Sequence, residues 1–204
     1  MMDEMEIKKW GSLLLILIGI VLAIAFALHP DEVNDPNALA SPLWGPVHIV
    51  FGLGFLALLV GLKAIYYSLG EKVSAIEKLG FGLAYFGSAA ASGVMFFIEG
   101  MILPVIAGNA NYAELLSPTG PLLAGDFGFY LTALFTLISI GFILIGISVF
   151  RSKTLPKISG ILLFGITLAA FAPPLDKLIG TIGGVAWCLG LIWIGYTLWK
   201  SKNA

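Results

Sequence analysis

The feature that most constrains the fold of this chain is the recurrence of apolar runs about 20 residues long. A helix of that length, rising about 1.5 Å per residue, crosses the roughly 30 Å hydrocarbon core of a bilayer. Only 11% of the residues are charged and 59% are hydrophobic, whereas soluble domains average about 25% charged residues. The runs do not alternate apolar and polar residues, as the strands of a membrane barrel do. The sequence therefore predicts an all-α polytopic membrane protein.

Six such runs predict a transmembrane helix bundle that forms a single domain over residues 1–204. The predicted spans are approximately residues 10–28, 44–69, 79–107, 126–150, 158–173 and 178–199. Lys8 and Lys9 precede the first run as they would in a signal peptide, but Asp3, Glu4 and Glu6 are atypical of one. We therefore expect the first run to be retained as a helix.

Basic residues are distributed unequally between the two ends of the predicted bundle. With six spans, only Lys177 falls at the end opposite the termini, and the other ten of the 11 lysine and arginine residues fall at the end that holds both termini. Because such residues concentrate in cytoplasmic loops, we expect a multi-pass cell-membrane protein with both termini cytoplasmic. The net charge of −1 indicates no nucleic-acid binding, so the lipid bilayer is the expected partner.

Glu99 is the one acidic residue inside a predicted apolar run. A carboxylate in hydrocarbon costs several kcal/mol unless it is protonated, paired or facing water. Tyr85, Ser88, Ser92 and Glu99 recur at helical spacing, so they share one helix face, and Pro104 is expected to kink the helix one turn later. This face is either a polar binding stripe or a packing seam in which the serines bond a neighbouring helix and Glu99 makes a structural hydrogen bond in its protonated form.

His48 is the expected partner of Glu99. It lies one turn after Trp44, about 6 Å along its helix, and Glu99 lies about 12 Å from the same end of the next helix. Helices joined by a short connection are usually neighbours, so the two side chains can approach each other. The sequence thus predicts a binding site of Glu99 and His48, continued by Tyr85, Ser88 and Ser92. The alternative for His48 is a hydrogen bond to a loop carbonyl.

His29 is the only other histidine, and it ends the first span at the same predicted depth. Two imidazoles on facing helices can hold a b-type haem, and His48 with His29 or Glu99 could bind a metal ion. The alternative is that His29 is a solvated residue at the end of a helix. The single Cys188 excludes an intramolecular disulfide and a metal site built on cysteines.

The sequence contains no HExxH, GxSxG, phosphate-loop or CxxC motif, so conventional hydrolase, kinase or thiol chemistry is not expected. The favoured function is the proton-coupled binding or transport of a small solute or ion. One alternative is a redox subunit that carries haem b or a metal. Another is an accessory subunit of a larger membrane complex or a homo-oligomer.

Three segments carry a resemblance to a known class of proteins. They are the helix junction at residues 149–163, the Trp-Gly-Pro-Val-His segment at 44–48, and the segment around Glu99 and Pro104. Together they resemble uncharacterised prokaryotic membrane proteins grouped as a domain of unknown function. The resemblance implies a bundle of six to seven helices and no particular activity, ligand or site.

Overall fold

The computed structural model describes residues 3–32, 34–35, 37–70, 73–116, 120–122, 124–171 and 176–202. Within these ranges the protein is all-α, and five helices are long and apolar enough to cross a membrane. The helices are α1 (Glu4–Leu28), α2 (Trp44–Ser68), α3 (Ala75–Ala107), α4 (Asp126–Arg151), α5 (Lys157–Leu162), α6 (Gly165–Phe171) and α7 (Lys177–Lys202). Short 3₁₀ turns follow α1 and α3, at Ala38–Ala40 and Ala110–Leu116.

Two helices begin earlier than their apolar runs because of N-terminal capping boxes. Asp3 accepts a hydrogen bond from the backbone N–H of Glu6, whose carboxylate accepts one from the backbone N–H of Asp3. Ser74 and Glu77 make the same reciprocal pair at the start of α3. Each box satisfies two backbone donors that a helix start leaves free. The polar first turns therefore belong to the helices and extend beyond the apolar segments that predicted them.

The predicted fifth span, 158–173, is not a continuous transmembrane helix. Its described part consists of α5 and α6, which together are shorter than 18 residues, and its last two residues lie outside the described ranges. Between the two helices the backbone turns tighten, since the amides of Phe164 and Thr167 bond carbonyls three residues back. Gly160 and Gly165 flank this break, and a Cβ at either would meet a backbone carbonyl of α4 or α7 at 2.4 or 2.2 Å. Close packing against α4 and α7 thus accompanies the break. The prediction of six full spans was wrong.

The helices form a closed ring in the order α1, α2, α3, α4, the α5–α6 pair, α7 and back to α1. Neighbours run antiparallel: Gly11 of α1 packs near Ala64 of α2, and Gly19 packs near Ile192 of α7. The start of α1 and the end of α7 therefore lie at one end of the bundle, which we call the basic end. The opposite end, which holds His29 and His48, is the histidine end.

The middle of the ring is filled by an aromatic cluster. Trp187 of α7 is fully buried, and its ring centroid lies 6.4 Å from that of Phe26, 6.1 Å from that of Phe55 and 5.2 Å from that of Phe142. Four side chains from four helices therefore meet on the axis of the ring. We call them the aromatic plug, because they fill the centre of the bundle between the histidine end and the basic end.

The second half of α3 departs from regular α-helix. Val94–Ile102 is π-helical, and the amide of Leu103 bonds the carbonyl of Ile98, five residues back. Pro104 follows directly and has no N–H with which to continue the regular α pattern. Such π-helical turns are rare and occur frequently at functional sites. The segment that carries Glu99 is thus a widened, π-helical part of α3. The kink at Pro104 stays a prediction.

Candidate functional site

A cavity of about 230 Å³ opens within the ring at the histidine end. In the described part of the chain, every ring helix except α5 contributes to its wall. Its polar lining comes from His29, Glu32, Trp44, His48, Glu99, Lys177 and Thr181, and the apolar lining includes Phe51, Met95, Phe135 and Ile166. Phe26 and Phe55 of the aromatic plug form part of the wall. The cavity has room for several water molecules or a small ligand.

The two histidines meet in this cavity. The Nε2 atoms of His29 and His48 lie 3.3 Å apart. The Nδ1 atom of His29 lies 2.9 Å from the carbonyl oxygen of Pro30, and that of His48 lies 2.8 Å from the carbonyl oxygen of Trp44. His48 is buried and His29 is half-buried. The interpretation of His29 as a solvated helix terminus does not hold, because its ring is packed against a second imidazole.

Aromatic rings hold both imidazoles in place. The indole of Trp44 stacks on His48 with centroids 4.3 Å apart and an angle of 23° between the planes. Phe51 contacts both imidazoles, with centroid distances of 6.0 Å to His29 and 5.9 Å to His48. His48 lies one helical turn after Trp44, which lets its Nδ1 reach the Trp44 carbonyl. These contacts restrict rotation of the rings and so fix the direction of their Nε2 atoms.

Glu99 lines the same cavity and is 7% exposed. The indole N–H of Trp44 lies near enough to interact with its carboxyl group, but that N–H forms no hydrogen bond with any described residue. Glycines bring the two helices together here: a Cβ on Gly45 would lie 2.9 Å from the carbonyl oxygen of Gly100. Glu99 and His48, which the sequence predicts to lie close together, therefore line the same cavity.

Charged groups near the end of α1 and at the start of α7 surround His29. Its Nε2 lies 3.8 Å from Oε1 of Glu32. Burial lowers the pKa of His29, and the nearby Lys177 ammonium lowers it further against the effect of the hydrogen bond to Pro30. Partial burial raises the pKa of Glu32, and the neighbouring Asp31 adds to this. Near neutral pH, His29 is therefore a neutral imidazole with a lone pair available to a cation.

The part of the predicted polar stripe that precedes Glu99 does not reach the cavity. Tyr85 and Ser92 are half-buried, and Ser88 is fully buried, but none of the three is among the residues that line the wall. The hydroxyl of Ser88 has no hydrogen-bond partner among the described residues, and Tyr85 lies with its ring 5.7 Å from the Nζ atom of Lys63 near the basic end. The structure thus brings together Glu99, His48 and His29, and leaves Tyr85, Ser88 and Ser92 elsewhere.

The two histidines do not fit the axial positions of a haem as they are arranged here. Two ligands on opposite faces of one iron, each with a bond of about 2 Å, would lie about 4 Å apart with the macrocycle between their rings. The observed 3.3 Å between the Nε2 atoms leaves no space for that plane. Among the described residues, no three His, Cys, Asp or Glu side chains form a complete metal-ligand set. Two imidazole ligands nevertheless face a common point.

Comparison of this chain with protein-family models, with curated proteins and with solved structures finds no match. The resemblance to uncharacterised prokaryotic membrane proteins therefore stays a prediction.

Four polar residues of the wall were not predicted from the sequence: Glu32, Trp44, Lys177 and Thr181. Trp44 is recognisable in the sequence as an interfacial aromatic residue. Its contact with His48 could have been predicted, because residues four apart lie on the same face of a helix. Glu32 comes from the connection that follows α1, whereas Lys177 and Thr181 come from the first turns of α7, so the positions of all three depend on how α1, α2 and α7 pack. No local signal in the sequence contains that information.

Proposed function

We propose that this chain is an integral membrane protein whose cavity at the histidine end binds a small cation and exchanges it for protons. The observation that carries the proposal is the convergence of two imidazoles and the Glu99 carboxyl group in one cavity of about 230 Å³. Buried ionisable groups are costly in a membrane protein and mark ion or proton sites. Neutral histidine and ionised glutamate both gain from a cation, and both can take up a proton in its place.

The orientation that we propose puts the histidine end at the outer face of the cell membrane and both termini in the cytoplasm. Support comes from the basic residues, since Lys8, Lys9, Arg151, Lys157 and Lys200 all lie near the basic end. In this arrangement the α5–α6 pair completes a sixth crossing, because it runs antiparallel to α4 along the height of the ring. Lipid then contacts the outward apolar side chains, such as Phe86 and Val105, which are 76% and 74% exposed.

Binding is better supported than passage through the protein. The aromatic plug lies between the cavity and the basic end, so a solute that enters from the histidine end meets Phe26, Phe55 and Trp187. Transport would require these rings to move apart. Transport, a homo-oligomer and a role as an accessory subunit stay predictions, and the haem alternative is disfavoured by the distance between the imidazoles.

The proposal is tested by measuring proton release when cations are added to the purified chain. The protein in detergent micelles, weakly buffered and containing a pH-indicator dye, is titrated between pH 5 and 8 with Na⁺, K⁺, Mg²⁺, Ca²⁺, Zn²⁺ or ethylammonium. We expect at least one cation to release protons, and the number of protons released should be proportional to the amount of protein. Glu99→Gln keeps the shape of the side chain but cannot ionise, so it should reduce the release or change its pH dependence.

Thr136→Val is the matched control for this experiment. Thr136 is an exposed residue of α4 whose hydroxyl bonds its own helix, and it does not line the cavity. This variant should release protons as the unaltered chain does. If none of the cations releases protons from the unaltered chain, the proposed function is wrong. If Glu99→Gln behaves like Thr136→Val, Glu99 has no part in the exchange.

A further inference from the structure

The hydrogen bonds of His29 and His48 determine which ring nitrogens carry protons. A backbone carbonyl oxygen can only accept a hydrogen bond. The Nδ1 atoms that face the carbonyls of Pro30 and Trp44 at 2.9 and 2.8 Å must therefore donate. In the neutral imidazole only one nitrogen carries hydrogen, so each ring presents an unprotonated Nε2.

These two Nε2 lone pairs point toward each other across 3.3 Å. Without a positive charge between them, the two lone pairs repel each other, and neither nitrogen can donate a hydrogen bond to the other. A proton on one ring or a cation bound to both would relieve this. The geometry therefore identifies a point in the cavity where positive charge is stabilised by two nitrogen atoms.

We propose that His29 and His48 bind a divalent transition-metal ion of the Zn²⁺ class at this point, and that Glu32 completes the ligand set by a change of rotamer. The inference rests on the proposed function and names the cation. At metal–nitrogen distances of about 2.0–2.1 Å, a separation of 3.3 Å corresponds to an N–metal–N angle of roughly 105–110°, which is the angle of tetrahedral coordination. The same nitrogen positions would not suit Mg²⁺ or Ca²⁺, which take oxygen ligands.

The surroundings of the two rings match those of metal-binding histidines in general. Such histidines almost always donate their second N–H to a carbonyl, a carboxylate or water, which fixes the tautomer and the direction of the ring. Both imidazoles do so here. The stacking of Trp44 on His48 adds a further restraint, so two ligands are oriented before any ion arrives.

Glu32 is the expected third ligand. Its Oε1 lies 3.8 Å from Nε2 of His29, which is less than the roughly 4.2 Å that separates two ligands on opposite sides of one ion. Its side chain is 45% exposed, so a change of rotamer can complete the coordination with water as the fourth ligand. The site thus has two fixed ligands and one adjustable ligand.

The charges that face this point favour a divalent cation. Glu32 comes from the α1–α2 connection, Glu99 from α3 and Lys177 from α7, while the described residues that line the cavity from α4 and α6 are uncharged. Two carboxyl groups therefore oppose a single ammonium group. Protons compete with the ion at all three of Glu32, Glu99 and the histidine pair, so metal binding is expected to weaken as the pH falls.

Further acidic residues lie beside the cavity at the histidine end. A second hollow, of about 500 Å³, shares Lys177 and Thr181 with the cavity and is also lined by Asp31 and Asp176. Asp31 accepts hydrogen bonds from Asn34, and Asp176 caps the start of α7. Two carboxylates held beside the cavity raise the local concentration of cations.

Calorimetric titration with ZnCl₂ of the full chain, purified in detergent and stripped with a chelator, tests the proposal. Titration with Co²⁺ provides a second readout, since tetrahedral Co²⁺ has intense visible absorption. We expect one ion per chain. His29→Gln and His48→Gln should each weaken binding by more than the roughly 100-fold that the loss of a second-shell partner can cost, and Glu32→Gln should have a smaller effect.

Cys188→Ala is the control variant, because Cys188 carries the only thiol of the chain and its buried side chain does not line the cavity. It should bind Zn²⁺ normally. Binding that is lost in Cys188→Ala, or that is equal in the histidine variants and the unaltered chain, overturns the assignment. If another cation releases protons but Zn²⁺ and Co²⁺ do not bind, this inference fails while the proposed function stands; if no cation acts, both fail.

A measurement on the unaltered chain covers the case in which the histidine variants fail to fold. Nitrogen-15 NMR of histidine-labelled protein distinguishes protonated from unprotonated ring nitrogens. We expect protonated Nδ1 atoms in both rings and a shift of both Nε2 signals when Zn²⁺ is added. Nε2 signals that do not respond to Zn²⁺ would show that the pair holds only a proton.

Discussion

The two halves of α3 pack on their neighbours by the same means but differ in what they contain. In the first half, Gly80 and Gly87 let α4 approach until a Cβ at either would lie 2.6–2.7 Å from Leu144 or Ile138. In the π-helical half, Gly100 permits the same approach to Ile49 of α2. The first contact is regular and apolar, whereas the second includes a buried carboxyl group beside a cavity. Close packing of small residues thus supports the ring in one half and holds a polar site in the other.

This difference separates stability from function within one helix. A buried acid, a π-helical stretch and a hollow each cost free energy, and such costs are typical of functional sites. The regular half has no such features apart from one unpartnered hydroxyl. We expect changes in the first half to alter mainly the free energy of unfolding, and changes in the second half to alter mainly cation binding.

The largest effect should come from filling the seam of the regular half. A Cβ on Gly141 of α4 would lie 2.4 Å from the backbone nitrogen of Ala84, so Gly141→Ala forces the helices apart. Overpacking of this kind costs about 1–3 kcal/mol. Thermal unfolding in detergent should show the loss, with unchanged proton release per folded molecule.

Gly82→Ala is the matched control, because nothing lies within 4 Å of a Cβ at Gly82. A glycine-to-alanine change in an open helix position stabilises by up to about 1 kcal/mol. If the two variants unfold at the same temperature, the α3–α4 seam is not as tight as described.

The next effect concerns the origin of the π-helical half. Pro104→Ala restores an N–H that can bond a carbonyl four residues back. Stability should rise by some fraction of the about 3 kcal/mol that proline costs in a helix interior, and cation binding should weaken because Glu99 turns relative to α2. Unfolding temperature and proton release are the measurements. Unchanged proton release would show that the π-helical turn does not position Glu99.

A smaller effect is expected at Ser88, whose buried hydroxyl has no hydrogen-bond partner among the described residues. Ser88→Ala removes an unsatisfied polar group and should stabilise the protein by about 1 kcal/mol. Proton release and Zn²⁺ affinity should not change, since Ser88 lies outside the cavity wall. Loss of binding in this variant would favour the original prediction of a polar stripe that continues the site.

The smallest effect is the dependence of stability on pH between about 5 and 6.5. Burial lowers the pKa of His29, so the unfolded chain binds more protons and stability should fall as the pH drops below 6.5. The raised pKa of Glu32 acts in the opposite direction, because its folded form holds the proton more tightly above pH 4.5. His29→Gln should therefore flatten the decline on acidification, and Glu32→Gln should steepen it, in unfolding curves recorded across this range.

The sequence is a good guide to the helices and a poor guide to their irregularities. Apolar run length is a local property, so both ends of α2, α4 and α7 and the last residue of α1 were predicted to within a few residues, whereas the start of α1 was not. The break between α5 and α6 was missed because it is accompanied by close contacts of Gly160 and Gly165 with other helices. A run of apolar residues looks the same whether or not such contacts interrupt it.

The site was predicted in part for a similar reason. Glu99 and His48 stand out because ionisable residues are rare in apolar helices, whatever the tertiary structure. The stripe through Tyr85, Ser88 and Ser92 assumed that a period of 3.6 residues continues to Glu99, but bonds to the fifth residue back widen the helix from Val94 onward. The approach of His29 and Glu32 depends on the path of a connection, which periodicity does not describe.

If the chain lies in a membrane as we propose, the short α5–α6 pair has a consequence for the surrounding lipid. At about 1.5 Å per residue its two helices, of 6 and 7 residues, together extend roughly 20 Å, less than the hydrocarbon thickness of about 30 Å. A bilayer meets such a mismatch by thinning locally, at a cost of fractions of a kcal/mol per ångström. The thinned patch would lie beside Ile166, Ala169 and Ala170, the wall that this pair contributes to the cavity. Bilayer thickness is then a physical variable to which this side of the cavity responds, and vesicles of short- and long-chain lipids offer a direct way to vary it.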